Sequence, residues 1–440
     1  MATFKSAIST FFKIITEAID TITSGRKLKQ VATTPLYSNA FYLMLNTTVM
    51  ALCGFFFWMV VARFYTEAEV GFSSAIISAI SLIAMISLVG LNTSLIRFLP
   101  HGDKPQQLIN SCYSLSSLIS LVVAAIFIAG LSFWSPALVF IKQNAVFIAA
   151  FIIFALLWTL SSLVDSTFIA RRRAGFVLFK NTIYSVLKIP LPILFVLFFR
   201  TFGIVASWGI ATAVAVAVAL LLFLPKVQND YKPVPTVKLG LIKDMWRYSA
   251  GNYLTNLLSA SPGFILPLMV INLLGAEQNA YFYIAWMIAS LLSAIPGAIS
   301  QSLFAEGSHF EDKLRENVIK SLKFTFLLLV PAVIILILVG KWLLLAFGTG
   351  YSSNALKLLW ILSLSSLPLA INHLYTSILR VEGRIKELIA IWGFIALSVL
   401  LASYLIMPAT GIVSIGYAWL GARAIVAIYI LASKKLLLLQ

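Results

Sequence analysis

Apolar residues gather into twelve blocks of about 20 or more, separated by charged or Gly/Pro punctuation. At 1.5 Å per residue, each block is long enough to cross about 30 Å of hydrocarbon as a helix. The blocks predict spans near residues 38–62, 71–96, 108–131, 145–168, 177–199 and 203–224. After a polar segment they resume near 248–273, 279–303, 320–345, 354–378, 388–407 and 411–433. The expected fold class is an all-α polytopic membrane protein with twelve transmembrane helices. Its expected domains are an N-terminal segment 1–37, an N-lobe 38–224, a cytosolic linker 225–247, a C-lobe 248–433 and a tail 434–440. In the first segment Phe4, Ile8, Phe11, Ile15 and Ile22 form one stripe, predicting a helix lying in the membrane interface.

The charge pattern tests the span count independently. Twelve spans place both termini on one face; 25 of the 32 Lys and Arg residues then fall on that face and five on the other, leaving Lys188 and Arg423 inside spans. One span more or fewer would scramble this split, so the basic face is expected to be cytosolic. Only 11% of residues are charged and 61% are hydrophobic, which excludes an ordinary soluble domain. The membrane thus accounts for the net charge of +17, and no nucleic-acid partner is expected. Cys53 and Cys112 both lie in apolar blocks and read as small buried hydrophobes.

The chain also repeats. A shift of 209 residues lays Gly54-Phe55 on Gly263-Phe264 and aligns the span-turn-span segment from Val61 to Phe72 with that from Val270 to Tyr281. Two six-span lobes in the same orientation, related by a pseudo-two-fold along the membrane normal, follow; transporters use this plan with substrate held between the bundles. Phosphate loops, metal-binding His pairs and catalytic triads are absent from the sequence, so no catalytic or metal residues and no cofactor are expected. Energy would come from a gradient, with coupling to H+ or Na+ left open.

Charges inside spans are expensive, about 2.5–3.5 kcal/mol each on insertion scales, and usually have a task. Lys188 lies central in span five, Arg423 in span twelve, and Asp165 is the acidic residue well inside a span. Two readings stay open: Asp165 and Lys188 form an ion pair, or Lys188 and Arg423 face a cavity from opposite lobes and hold an anionic group such as a diphosphate. Pro190 and Pro192 should kink span five beside Lys188, and Pro262, Pro267, Pro296, Pro331 and Pro368 are further breakers.

Arg63, Glu69 and Gly71, spaced as R-x5-E-x-G, and Gly90-Leu91 through Arg97-Phe98 resemble signatures of polysaccharide transporters in the multidrug/oligosaccharidyl-lipid/polysaccharide exporter superfamily. So does the stretch from Ile169 through Arg172 and Arg173 to Lys188-Ile189-Pro190. Tyr65-Thr66 departs from the usual Leu-Gly, which the second half keeps as Leu274-Gly275. The resemblance implies a V-shaped, two-lobed flippase of the O-antigen type in a prokaryotic cytoplasmic membrane, moving polyisoprenyl diphosphate-linked oligosaccharide to the outer leaflet. Polysaccharide-assembly enzymes would be its partners. It implies a basic cavity in which Lys188 and Arg423 are candidates, with Arg63 and Arg97 at the first lobe's gates. Alternatives are a cation-coupled multidrug exporter on the same fold, which would favour intramembrane carboxylates, an integral membrane enzyme of glycan assembly, and a transport-inactive scaffold.

Overall fold

The computed structural model describes residues 35–229, 231–307 and 314–433. Among the described residues twelve helices are long and apolar enough to cross a membrane: α1 (Ser38–Phe64), α2 (Glu67–Leu88), α3 (Pro105–Ala129), α4 (Ala145–Ala170), α5 (Ala174–Leu197), α6 (Phe199–Val227), α7 (Ser249–Leu274), α8 (Ala276–Phe304), α9 (Asn317–Leu345), α10 (Leu356–Val381), α11 (Ile385–Thr410) and α12 (Val413–Ala432). The expected interfacial helix and the tail 434–440 lie outside the described residues.

The repeat is structural. The same 209-residue shift brings the start of each span in the first half within five residues of a start in the second. Packing follows: α1 lies on α5, α4 on α2 and on α6, and α3 against α2 and α4, while α7 lies on α11, α10 on α8 and on α12, and α9 against α8 and α10. Each pair recurs six spans later, which is what a parallel pseudo-two-fold requires.

Three local departures have physical causes. Span two ends early: Val89 and Gly90 both take positive φ, +47° and +78°, and a short helix, Leu91–Phe98, leads on. A Cβ on Gly90 would stand 3.0 Å from Cβ of Tyr253 in α7, so glycine is needed there for both conformation and contact. In α5 the regular helix stops at Lys188 and resumes at Leu191, because the rings of Pro190 and Pro192 remove amides and crowd the carbonyls four residues back. Before Pro296, α8 tightens to a 3-10 turn over Leu291–Ser293 for the same reason. The segment expected as linker is partly helical, since the helix that continues into α7 begins at Leu239.

The lobes are joined unevenly. α7 packs against α2 and against the short helix Leu91–Phe98, where Ser94 donates to the Met245 carbonyl at 3.1 Å and meets Ser249. The half of α8 away from the basic face, Ala276–Ser290, packs on α2, whereas its basic-face half, Ala294–Gly307, packs on α9 and α10. Among the described residues, ring contacts between α1 and the C-terminal half cluster at the end opposite the basic face, Trp58 with Tyr283 and Phe55 with Phe347.

Candidate functional site

The Arg63–Gly71 motif forms the fastening between the lobes. Thr66 and Glu69 close a capping box at the start of α2: Glu69 N–H donates to Thr66 Oγ1, and Thr66 N–H donates to Glu69 Oε2 at 2.9 Å. Arg63 Nε and Nη2 donate to the carbonyls of Ala346 (2.8 Å) and Leu345 (3.0 Å), the unpaired carbonyls at the end of α9. Glu67 accepts from the Tyr281 hydroxyl. Asn279 Nδ2 donates to the Gly71 carbonyl at 2.7 Å and to Ser74 Oγ at 3.1 Å. Gly71 lies so close to α8 that a Cβ there would meet the Ala276 carbonyl oxygen at 1.7 Å. Under the 209-residue repeat the pair Gly71–Ala276 maps onto Ala280–Glu67, so α2 and α8 cross on the pseudo-two-fold itself. Tyr65 locks the motif to α5, donating to the Pro192 carbonyl at 2.7 Å. Burial, with Glu69 adding, pushes this phenol up to about 12, so it stays a neutral donor at ordinary pH.

Arg63→Ala therefore frees the α9 end. With Cys53 and Cys112 replaced, a cysteine at buried Ser74 should be labelled several-fold faster by an impermeant thiol reagent in R63A, and Arg63→Lys should give an intermediate rate because it lacks the fork. Equal labelling in all three would remove Arg63 from the seal.

The membrane-embedded charges sort differently from the expected pairing. Asp165 pairs with Lys180, at 2.9 Å, not with Lys188. The reason is depth: across the α4–α5 turn at Arg171–Arg173, Asp165 lies seven residues before Arg172 and Lys180 eight after it. Lys188 is eight residues further, about 12 Å deeper. Lys180, which by sequence counts with the basic face at the start of span five, is 1% exposed; its ammonium also donates to Ser161 Oγ at 2.6 Å and to the Ser161 carbonyl at 3.1 Å. Asn181 Nδ2 bridges the pair to Asn46 of α1 at 2.9 Å.

Lys188 has no carboxylate partner among the described residues. Its ammonium sits over the rings of Tyr184 (4.5 Å) and Phe57 (5.4 Å), a cation–π enclosure inside the N-terminal half. Arg423 repeats the arrangement in the other half: its guanidinium carbon lies 4.1 Å over the Trp419 ring, and Nη1 donates to Ser365 Oγ at 2.9 Å. Both are buried, at 5% and 8% exposure. Counting along α5 and α12, they sit about 14 and 15 Å below the end opposite the basic face, at matched depth. The repeat does not demand them, because Lys188 maps onto Leu397 and Arg423 onto Val214.

An aromatic series joins their surroundings. Phe57 adjoins Trp58, which meets Tyr283 of α8 at 4.8 Å; one turn on, Trp286 meets Trp419 at 5.0 Å. These rings carry no motif, and no spacing in the sequence singles them out. The four candidate cations are not brought together. Arg63 is at one end of the interlobe seam, Arg97 is exposed in the short helix toward the basic face, and Lys188 and Arg423 lie inside separate halves. Among the described residues no cluster of His, Cys, Asp or Glu could hold a metal.

Residues 60–356 match the family model described as polysaccharide biosynthesis protein. A Shigella flexneri protein provisionally described as an O-antigen transporter is 26% identical over 211 residues, 47% of this chain and 50% of that one, so the match spans about half its length. Among solved structures, the chain is similar to the lipid II flippase MurJ in an inward closed conformation, with TM-score 0.69 and 14% identity over 89% of this chain and 87% of that one. It is also similar to an outward-facing multidrug resistance MATE family transporter, with TM-score 0.62 and 16% identity over 93% and 97%. At these identities the likeness shows the shared fold alone, the V-shaped exporter architecture of two six-helix lobes.

Proposed function

Since the chain belongs to the family of polysaccharide biosynthesis proteins, we propose that it is a flippase that carries polyisoprenyl diphosphate-linked oligosaccharide from the cytosolic to the outer leaflet. It works as a secondary transporter and performs no chemistry on the glycan. The observation that carries this reading is the pair of buried cations Lys188 and Arg423, with no carboxylate partner among the described residues and at one depth in opposite halves. Buried charges are normally paired. Two cations left to aromatic faces and a hydroxyl are suited to an anion that comes and goes, as a diphosphate does. In this reading the basic face is cytosolic, the membrane is a prokaryotic cytoplasmic membrane, and Arg63 and Arg97 serve the outer and cytosolic gates.

Alternating access has a physical route. The seal at the end opposite the basic face combines the polar contacts of Arg63, Glu67, Gly71 and Asn279 with the ring contacts of Phe55 on Phe347 and Trp58 on Tyr283, and opening it breaks both. The lobes pivot over α2 and α8 where these cross on the pseudo-axis, and the weakened helix at Ile189-Pro190 lets α5 bend beside Lys188.

The multidrug reading requires a carboxylate available to a cationic substrate. Asp165 is instead neutralised by Lys180, which counts against it. Purified protein in proteoliposomes, a polyprenyl diphosphate oligosaccharide and an impermeant probe of the headgroup test the proposal: the protein should raise leaflet exchange well above empty vesicles. Failure to do so, together with efflux of organic cations that depends on Asp165, would transfer the chain to the multidrug class.

A further inference from the structure

A groove of about 670 Å³ lies toward the end of the molecule opposite the basic face, and its two walls belong to different halves. Ile126, Phe127 and Trp134 stand on one side, Ile265 and Leu273 of α7 and Tyr404 of α11 on the other. Several of these are surface residues of apolar spans, Ile126 being 55% exposed, so the groove faces the bilayer. From Leu273 to Ile265 the wall descends eight residues along α7, about 12 Å. One leaflet's hydrocarbon is roughly 15 Å deep, so the groove matches a chain that ends at the midplane.

Its rim is shaped by specific contacts. Trp134 folds back over the end of α3, where its indole N–H donates to the Phe127 carbonyl at 3.0 Å and its ring stacks on Phe127. That fold needs glycine at position 130, because a Cβ there would stand 2.0 Å from the Trp134 ring. Asn272 clasps the halves together: its Oδ1 accepts from the Ala137 N–H at 3.0 Å, and its Nδ2 donates to Ser135 Oγ at 3.1 Å and to the Leu268 carbonyl. The amide and the indole of the wall are thus spent within the protein. What remains is apolar surface, which takes hydrocarbon rather than water.

A cation stands at the same rim. The Lys142 ammonium donates to the Ala129 carbonyl at 2.8 Å and to Ser132 Oγ at 3.4 Å, on the segment that joins the groove residues Phe127 and Phe133. An ammonium carries three donors, so one is left over, and Lys142 has no carboxylate partner among the described residues. Phe133, 88% exposed, marks this level as the interface where aromatic side chains meet headgroups. A basic group over an apolar slot suits an anionic lipid. Depth selects which: an acyl chain of a glycerophospholipid ends at the midplane as the groove does, whereas a polyisoprenyl chain is much longer than one leaflet is deep.

We propose that this groove binds one acyl chain of an anionic glycerophospholipid from the leaflet opposite the basic face, with the lipid phosphate on Lys142. Because the chain bridges α3 and α7, the lipid favours the arrangement in which the Arg63 seal is closed. The site is separate from Lys188 and Arg423 and does not depend on what the protein carries.

The full-length protein, delipidated in detergent, is titrated with phosphatidylglycerol or phosphatidylcholine while its unfolding temperature is followed. A ligand that binds only the folded state raises that temperature in a saturable way. Phosphatidylglycerol should do so at concentrations about tenfold lower than phosphatidylcholine, and Lys142→Gln should erase most of that difference, the loss of one contact to a charged group. Ile126→Trp, which fills the groove from its exposed wall, should lose the saturable response. Leu121→Trp, an equal addition five residues away on another face of α3, should keep it. Gly130→Ala, which unseats the Trp134 ring, should weaken the response and decides the matter if Ile126→Trp folds poorly. In vesicles, a cysteine at position 74 in the background lacking Cys53 and Cys112 should be labelled several-fold more slowly with phosphatidylglycerol present than with phosphatidylcholine alone, and Ile126→Trp should abolish the difference. Equal responses of the wild type to both lipids, or a phosphatidylglycerol response that survives Ile126→Trp and Lys142→Gln, would overturn the proposal. So would saturable stabilisation by polyprenyl phosphate that phosphatidylglycerol cannot displace, since the groove would then hold a prenyl chain. Binding is read without transport, so this result and the flippase reading fail separately.

Discussion

Lys180→Met should destabilise the protein by about 3 kcal/mol, the low end of the range for a fully buried pair, because it leaves the partly buried Asp165 carboxylate, 23% exposed, opposite no cation. The effect is larger than removal of a surface pair for a structural reason: Lys180 is 1% exposed, and its three donors are all spent, on Asp165 Oδ2, Ser161 Oγ and the Ser161 carbonyl. Asp165→Asn should be comparably damaging, since it orphans the ammonium. The double variant D165N/K180M should recover much of the loss, because replacing both partners removes the uncompensated charge along with the attraction. Unfolding of detergent-purified variants, compared in a double-mutant cycle, checks this. Strict additivity of the two single losses would mean that the pair is not energetically coupled.

The second large effect falls on transport. Gly71→Leu should reduce translocation at least tenfold, and Gly71→Ala should show a weaker form of the same defect. A Cβ at this position collides with the Ala276 carbonyl, a backbone atom that cannot rotate away, so α2 and α8 must separate where they cross. The outer seal then fails to close, and the Asn279 bonds to Gly71 and Ser74 are lost with it. Gly54→Ala is the matched control: no atom lies within 4 Å of its added Cβ, so transport should persist. Faster labelling of a cysteine at position 74 in G71A, without loss of expression, separates an open seal from misfolding. Wild-type labelling and transport in G71L would contradict the close crossing.

Much of this architecture is written in the hydropathy. Spans and their repeat were legible because a helix in lipid must satisfy its backbone internally, which forces long apolar runs; the basic residues between them added an independent check. The break at Val89-Gly90 was not legible. A β-branched residue in a left-handed conformation has no compositional signature, and the cause, close contact with Tyr253 and Ser249, is supplied by the other half of the chain. The Asp165 partner differs from the Lys188 that one of the two open readings offered, because Lys180, close to the Arg171–Arg173 cluster, counts with the basic face; comparing depths across the turn finds it. The motif around Arg63 was visible, but its work was not, since the carbonyls it holds lie 282 and 283 residues away. The isolation of Lys188 and Arg423 from carboxylates was only half visible: the sequence showed few acids in spans, while the aromatic enclosures required the packing.

The central claim is that two buried cations, one in each half, receive the anionic headgroup. It is tested most directly by leaflet translocation of a polyprenyl diphosphate oligosaccharide in proteoliposomes containing wild type, Lys188→Ala or Arg423→Ala at equal reconstitution. Each lost charge-assisted contact is worth about 1.5–3 kcal/mol, so each variant should fall about tenfold or more while its unfolding temperature shows that it remains folded. Wild-type rates in both variants would contradict the account.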